Sequence, residues 1–419
     1  MTKIVPRVRF EGFMDDWERL KLGDVVEIKD SARISNTLWV SKGVPYLRSS
    51  DLVNDGTLGE LFISDETYQS YKYKTGAPEK DDVLFTSGGK VGVTYHKIDD
   101  NPVYVQGGSI LYAKTSKSSK LSGMYLKAFF GSPAMTKYIE GASTGVTLKH
   151  FTLKPVNAAP IFLSSLKEQN KIGELFKQLD DIIALHQCLL EQKKSFKKVM
   201  LQKMFPQKGE RVPKVRFDGF SGNWEERKFL ENIESIIDFR GRTPKKLGME
   251  WSSKGYVALS ALNVKNGYID FNADSHYGDE ALYKVWMAGN ELKKGQVLFT
   301  TEAPMGNVAQ IPDNNRYILS QRTIAFNVKD SMITNDFLAV LLRSHQVYNE
   351  LSSLSSGGTA KGVSQKSLGG LKINVPVIIE EQQKIGTFFK QLDDTIAIHE
   401  KKLEDYQQLK KALLQRMFV

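Results

Sequence analysis

The sequence predicts an α+β protein: two mixed α/β domains in a pseudo-two-fold arrangement, separated by two long antiparallel coiled-coil helices. Three observations predict it. The 419-residue chain is written twice. One part of each copy carries an apolar stripe at helical spacing over about 40 residues, with no interior proline. The other part breaks into short β-rich runs separated by Gly, Asn, Asp and Ser.

The repeat is read from anchors. VPRVRFEGFMDDWE (residues 5–18) returns as VPKVRFDGFSGNWE (residues 212–225), so Trp17 aligns with Trp224. EQNKIGELFKQLDDIIALHQ (168–187) returns as EQQKIGTFFKQLDDTIAIHE (381–400), and the segments close on Met204-Phe205 and Met417-Phe418. Between anchors the copies diverge, but GVPYLRSSDL (43–52) parallels GYVALSALNV (255–264), and VLFTSGGKVG (83–92) parallels VLFTTEAPMG (297–306). The period is far longer than that of a solenoid, so a two-part unit has been duplicated. The expected boundaries are 1–162 and 208–377 for the globular domains, and 163–207 and 378–419 for the helical segments.

Each helical segment is justified by its spacing. Ile172, Leu175, Phe176, Leu179, Ile182, Ile183, Leu189, Phe196, Met200 and Met204 recur at three- and four-residue steps. Ile385, Phe388, Leu392, Ile396, Leu403, Tyr406, Leu409, Leu413 and Met417 do the same. That register suits a coiled-coil seam, and each helix would run roughly 60 Å. Pro206 ends the first. Two such stripes need partners, and each is the other's natural one. His186 and His399 are equivalent and read as register-setting polar positions. The lysines at 193, 194, 197, 198, 401, 402, 410 and 411 form a solvated face or meet DNA phosphates.

In the globular regions, β-rich runs stand at 83–86, 103–106 and 110–112, with helices expected near 124–139 and 335–351. Polar, basic, glycine-containing loops punctuate both: SARISNTLWVSKG, TSGGKVG and STGVTLKH, then FRGRTPKKLGMEW, TTEAPMG and SSGGTAKGVSQKS. Arg and Lys match guanine edges, Gln and Asn match adenine edges, and glycine lets backbone approach phosphate. The same loops also read as solvated turns.

Several chemistries are excluded or disfavoured. There is no Pro-Pro, hence no methyltransferase catalytic loop, and no Walker spacing or HExxH. The single cysteine, Cys188, gives no disulfide framework or zinc pattern and reads as a buried or half-buried structural residue. Asp180-Asp181 and Asp393-Asp394 are adjacent on helices, so they make poor acid–base pairs. A net charge of +10 favours a nucleic-acid partner. With no membrane segment or signal peptide apparent, a soluble cytoplasmic protein is expected.

This organisation resembles the specificity subunits of type I restriction–modification systems. The likeness rests on the openings VRFEGFMDDWERLKLGDV and VRFDGFSGNWEERKF, the paired EQ(N/Q)KIG…KQLDD helices ending LQKMF and LQRMF, and the VLFT…G segments. It implies two target-recognition domains, each reading half of a split, asymmetric DNA target, with the helices setting the spacing. It implies a non-catalytic chain that scaffolds two adenine-methyltransferase subunits and joins restriction subunits. The chain itself would hold no cofactor or metal; S-adenosylmethionine, ATP and Mg would act on the partners. Gln178, Leu179, Asp180, Asp181 and their equivalents Gln391, Leu392, Asp393 and Asp394 are then candidates for partner binding, or for packing between the helices. Arg48, Lys90, Lys149, Arg242, Lys245, Arg322 and Lys361 are candidates for DNA contact. A stand-alone sequence-specific DNA-binding protein is the rival reading.

Overall fold

The computed structural model describes residues 5–53, 59–145, 149–355 and 362–419. The two apolar stripes form two long helices, Leu166–Lys203 and Ile379–Arg416, of 38 residues each. The chain divides into two units. The first is Met1–Gln187 with Lys401–Val419, and the second is Cys188–Glu400. Each unit therefore holds the first part of one long helix and the last part of the other.

Within each unit the two helical segments run antiparallel, as the seam requires. In the first, Phe176 packs on Phe418 (ring centroids 5.7 Å) and His186 stacks on Tyr406 (5.6 Å). In the second, Lys194 reaches Glu400 at 2.6 Å and Phe205 reaches Phe389 at 6.4 Å. Numbers rise on one helix as they fall on the other. Cys188 is exposed, against expectation. The three- and four-residue steps of the stripe pass over its position, so it faces away from the seam, where it accepts from Gln192 Nε2 at 3.4 Å.

The first unit carries a four-stranded sheet ordered β1-β4-β2-β3, where β1 is Ile28–Asp30, β2 Val83–Thr86, β3 Thr94–His96 and β4 Ile110–Ala113. The second unit repeats it as β5-β8-β6-β7, with β5 Ile233–Asp238, β6 Val297–Thr300, β7 Val308–Gln310 and β8 Thr323–Val328. All neighbours are antiparallel. The VLFT strands β2 and β6 are buried along their whole length. Alternation explains the unbroken apolar run. Val83 and Phe85 face the core that the long helices join, while Leu84 faces a separate cluster with Leu47 and Val105. Val297, Phe299 and Leu298 do likewise in the second unit.

The repeated anchors are sockets for the long helices. Arg9 Nε and Nη2 donate to Glu168 at 2.6 and 2.9 Å, and Arg216 does the same to Glu381 at 2.8 Å twice. Both glutamates are buried. Gln169 Oε1 accepts from Ser122 N (3.0 Å) just before the helix Gly123–Phe130 (α1), and Gln382 Oε1 accepts from Thr334 N (3.0 Å) before Asn335–Arg343 (α2). Gly173 and Gly386 let these helices cross closely. A Cβ on Gly173 would stand 2.5 Å from Met124 Cβ, and one on Gly386 2.6 Å from Asp336 Cβ. Lys171 lies over Phe10 and Phe13, and Lys384 over Phe220. Met417 and Phe418 complete the first unit's core, Met204 and Phe205 the second's.

The two short helical stretches each break in two, which the periodicity hid. Ser132 caps Met135 N with Pro133 at the first turn, giving Gly123–Phe130 and Pro133–Ala142. Ser344 caps Val347 N, giving Asn335–Arg343 and His345–Leu354.

Candidate nucleic-acid interface

Antiparallel register brings the polar loops of each unit to one end of its sheet. In the first unit Asp30 pairs with Leu111, Thr86 with Ile110, and Phe85 with Thr94. The loops after β1 and β2 and before β3 and β4 therefore share an edge. A fourth joins them: Gly88 bridges His150, and Phe151 N donates to Ser87 O at 2.8 Å. TSGGKVG and STGVTLKH, far apart in sequence, are thus neighbours. The second unit matches. Asp238 pairs with Ile324, and Thr300 with Thr323. Val363 N donates to Thr301 O at 2.8 Å, and Glu302 bridges Gly362.

The sequence candidates fall on or near these edges with different freedoms. Lys90 and Lys149 are exposed on the two neighbouring loops of the first unit, and Lys245 is exposed in the second. Arg322 is exposed at the start of β8 with a left-handed φ of 62°, 3.3 Å from Glu302. Its backbone is held there by Thr301 N, which donates to Arg322 O. Arg48 is half-buried beside Asp51, at 3.5 Å, and its Nε is buried without a hydrogen-bond partner among the described residues. Arg242 is engaged inside its own unit. Its guanidinium lies 4.2 Å over Phe239 and donates to Trp286 O. It pins the loop to the helix Glu280–Met287, which leaves less of it for a ligand. Lys361 lies outside the described residues.

Arg240, two residues earlier, was not singled out by composition. It donates Nε to Asp238 at 2.9 Å and Nη1 to Val363 O at 3.2 Å, tying two edge loops together. Burial alone would push the Asp238 carboxyl up; bonds from Arg240 outweigh it and hold the carboxyl below its ordinary value. The register equivalence of Asp30 and Asp238 is the signal that could have marked this position, and it appears only once the strands are paired.

On the helices, the repeated residues separate into two sets. Asp180 binds Lys127 at 3.0 Å and Lys410; Asp393 binds Arg343 at 2.7 Å and Lys197. Lys197 and Lys410 are themselves equivalent positions, so each copy's aspartate holds the other copy's lysine. Burial would raise the Asp180 carboxyl, but Lys127 and Lys410 keep it below its ordinary value. Burial, with Arg343 alongside, draws the Lys197 ammonium down. Leu179 is buried in the core and Leu392 half-buried. Gln178, Asp181, Gln391 and Asp394 are exposed. Among the described residues no cluster of His, Cys, Asp and Glu could hold a metal ion, and no helix is long and apolar enough to cross a membrane.

Comparison with known proteins fits this doubled architecture. Residues 14–193 and 222–406 each match the type I restriction modification DNA specificity domain. The chain is 23% identical over 412 residues to the type I restriction enzyme MjaVIII specificity subunit of Methanocaldococcus jannaschii, covering 96% of this chain and 91% of that protein. A putative MjaX specificity subunit from the same organism is 22% identical over 420 residues, covering 96% and 92%. Among solved structures, the type I restriction-modification S subunit from M. genitalium shares the fold, with a TM-score of 0.65 at 14% identity over 99% of both chains. With the family domain matched twice over most of its length, the chain belongs to the type I restriction–modification specificity subunits.

Proposed function

We propose that the chain reads a split, asymmetric DNA target, one half-site per unit, and catalyses nothing itself. It scaffolds two methyltransferase subunits and joins restriction subunits; S-adenosylmethionine, ATP and Mg act on those partners. The observation that carries this reading is the contrast between the two kinds of residue. The sockets are the same in both copies, while the edge loops differ at nearly every position. A framework held constant around unlike loops suits two readers of unlike sequences. Two modest readers on one chain gain affinity together through effective concentration.

Methyladenine mapping of a genome with and without this chain tests the reading. One split, asymmetric motif should lose methylation when the chain is removed. An unchanged methylation map, with the methyltransferase active, refutes it.

Arg322 and Lys245 are the second unit's freest candidates. Arg322→Ala should impair one half-site only, by about 1–3 kcal/mol if its contact is bidentate to a base. Lys245→Ala should weaken all sequences alike and flatten the salt dependence by about one unit of slope. Titrations of target and scrambled duplexes at several salt concentrations separate the two. Equal losses on both duplexes for Arg322→Ala would make it a phosphate contact.

Scaffolding is supported by residues that packing does not explain. Lys177, Gln178 and Asp181 recur as Lys390, Gln391 and Asp394, and all are exposed. Equal surfaces on two copies suit two copies of one partner. Asp180 and Asp393 are held by lysines of their own unit, so Asp181 and Asp394 carry the test. Asp181→Lys with Asp394→Lys should weaken methyltransferase assembly about tenfold or more, read by size-exclusion chromatography. A complex of undiminished size and yield would remove these positions from the interface.

A further inference from the structure

The two units differ at one equivalent place. In the second, the Asp238 carboxylate is occupied by Arg240, whose guanidinium also reaches Val363 O. In the first, the register places Asp30 where Asp238 stands and Phe151 where Val363 stands. The residue at the place of Arg240 is Ala32. A recess of about 260 Å³ opens there, lined among others by Asp30, Ser87, Gly108, His150 and Lys154. Asp30 Oδ1 accepts from Ser31 N (2.9 Å) and Gly108 N (3.0 Å), while Oδ2 takes no hydrogen bond among the described residues. A carboxylate can accept on both oxygens. The recess therefore borders a carboxylate whose counterpart in the second unit is taken by an arginine, while here one of its oxygens is left without a hydrogen bond among the described residues.

We propose that this recess is a base-edge reading pocket, in which Asp30 accepts the exocyclic amino group of cytosine or adenine. The inference rests on the DNA-reading function above and names a residue and a base class for it. In the major groove cytosine presents its N4 amino group and adenine its N6 amino group as donors. Guanine and thymine present acceptor oxygens there, which a carboxylate repels. Lys154 on the same wall supplies a cation for the adjoining phosphate or base acceptor. In the second unit Arg240 occupies the equivalent carboxylate and Val363 O, so that unit offers no free acceptor at this place.

The test uses the full chain, purified with its methyltransferase subunits, and a pool of randomised double-stranded DNA. The wild-type chain should select a split motif. Asp30→Asn should relax an A or C preference at one position of one half-site about tenfold and leave the other half-site unchanged. Ala32→Arg keeps Asp30 and fills the recess, and should change the same position. It carries the test alone if Asp30→Asn unfolds the first unit, as a thermal melt reveals. Motifs identical to wild type from both folded variants overturn the pocket while leaving the DNA-reading function standing. So does a variant that keeps its motif and loses methyltransferase assembly. No motif from the wild-type chain overturns the DNA-reading function itself, and the pocket with it.

Discussion

Replacing Glu381 by alanine is expected to lower the stability of the second unit by about 3–5 kcal/mol, the loss typical of breaking one side of a buried ion pair. Glu381 is 1% exposed and takes three bonds: Arg216 Nε and Nη2 at 2.8 Å each, and Trp224 Nε1 at 3.3 Å. Removing it takes the carboxylate from a partly buried guanidinium and leaves a buried indole N–H without its partner. The same guanidinium donates to Gly222 O and Ser221 O, so the opening segment loosens with it. Urea unfolding followed by tryptophan emission measures the loss. Glu168→Ala should cost less, because Glu168 takes two bonds from Arg9, and Trp17 Nε1 has no hydrogen-bond partner among the described residues. A loss under about 1 kcal/mol for Glu381→Ala would mean that Arg216 re-solvates freely, and the socket would not depend on the pair.

Gly173→Ala is the second large effect, and its sign is the informative part. On an open helix face the change would stabilise by about 1 kcal/mol. Here the new Cβ would meet Met124 Cβ at 2.5 Å and Tyr125 N at 2.8 Å, and backbone has nowhere to yield. Overpacking of this kind costs roughly 3 kcal/mol, so the net change should be a clear loss, read in the same unfolding experiment. Gly386→Ala should behave alike, with its Cβ 2.6 Å from Asp336 Cβ and 3.0 Å from Phe337 N. A neutral or stabilising result would mean that α1 and α2 can slide on the long helices, against the close crossing described.

The framework was legible because duplication marks it twice. VRF, EQ(N/Q)KIG and KQLDD each stand in both copies, and much of each proves to be packing: Arg9 and Arg216 on buried glutamates, glycines at crossings, and, within KQLDD, the leucine and the first aspartate. The helix breaks at Ser132 and Ser344 were not legible, since apolar spacing continues across them and only the caps end the turns. The edge residues were harder. Arg240 and Arg242 stand in one FRGR turn about Gly241, which has a φ of 79°. One turns to Asp238 and Val363, the other to Phe239 and Trp286. Val363 and Trp286 come from remote segments, so local sequence does not distinguish the two arginines. Asp30 and Ala32 are not legible either, because an acceptor and a small residue stand out from a basic loop only once the strand register sets them against Asp238 and Arg240.

The sockets also bear on how such a chain can change. The main contacts that seat each globular region on the long helices recur in both copies: arginine on glutamate, glycine at the crossing, and the aspartate of one copy on the lysine of the other. A stretch bounded by those residues can be replaced wholesale by a foreign one with the same ends. The newcomer finds the same glutamate for its arginine, the same glycine at its crossing and the same phenylalanine closing its core. Novelty in what is read is thereby uncoupled from the risk of misfolding, and recombination can explore targets that point mutation would reach only through unstable intermediates.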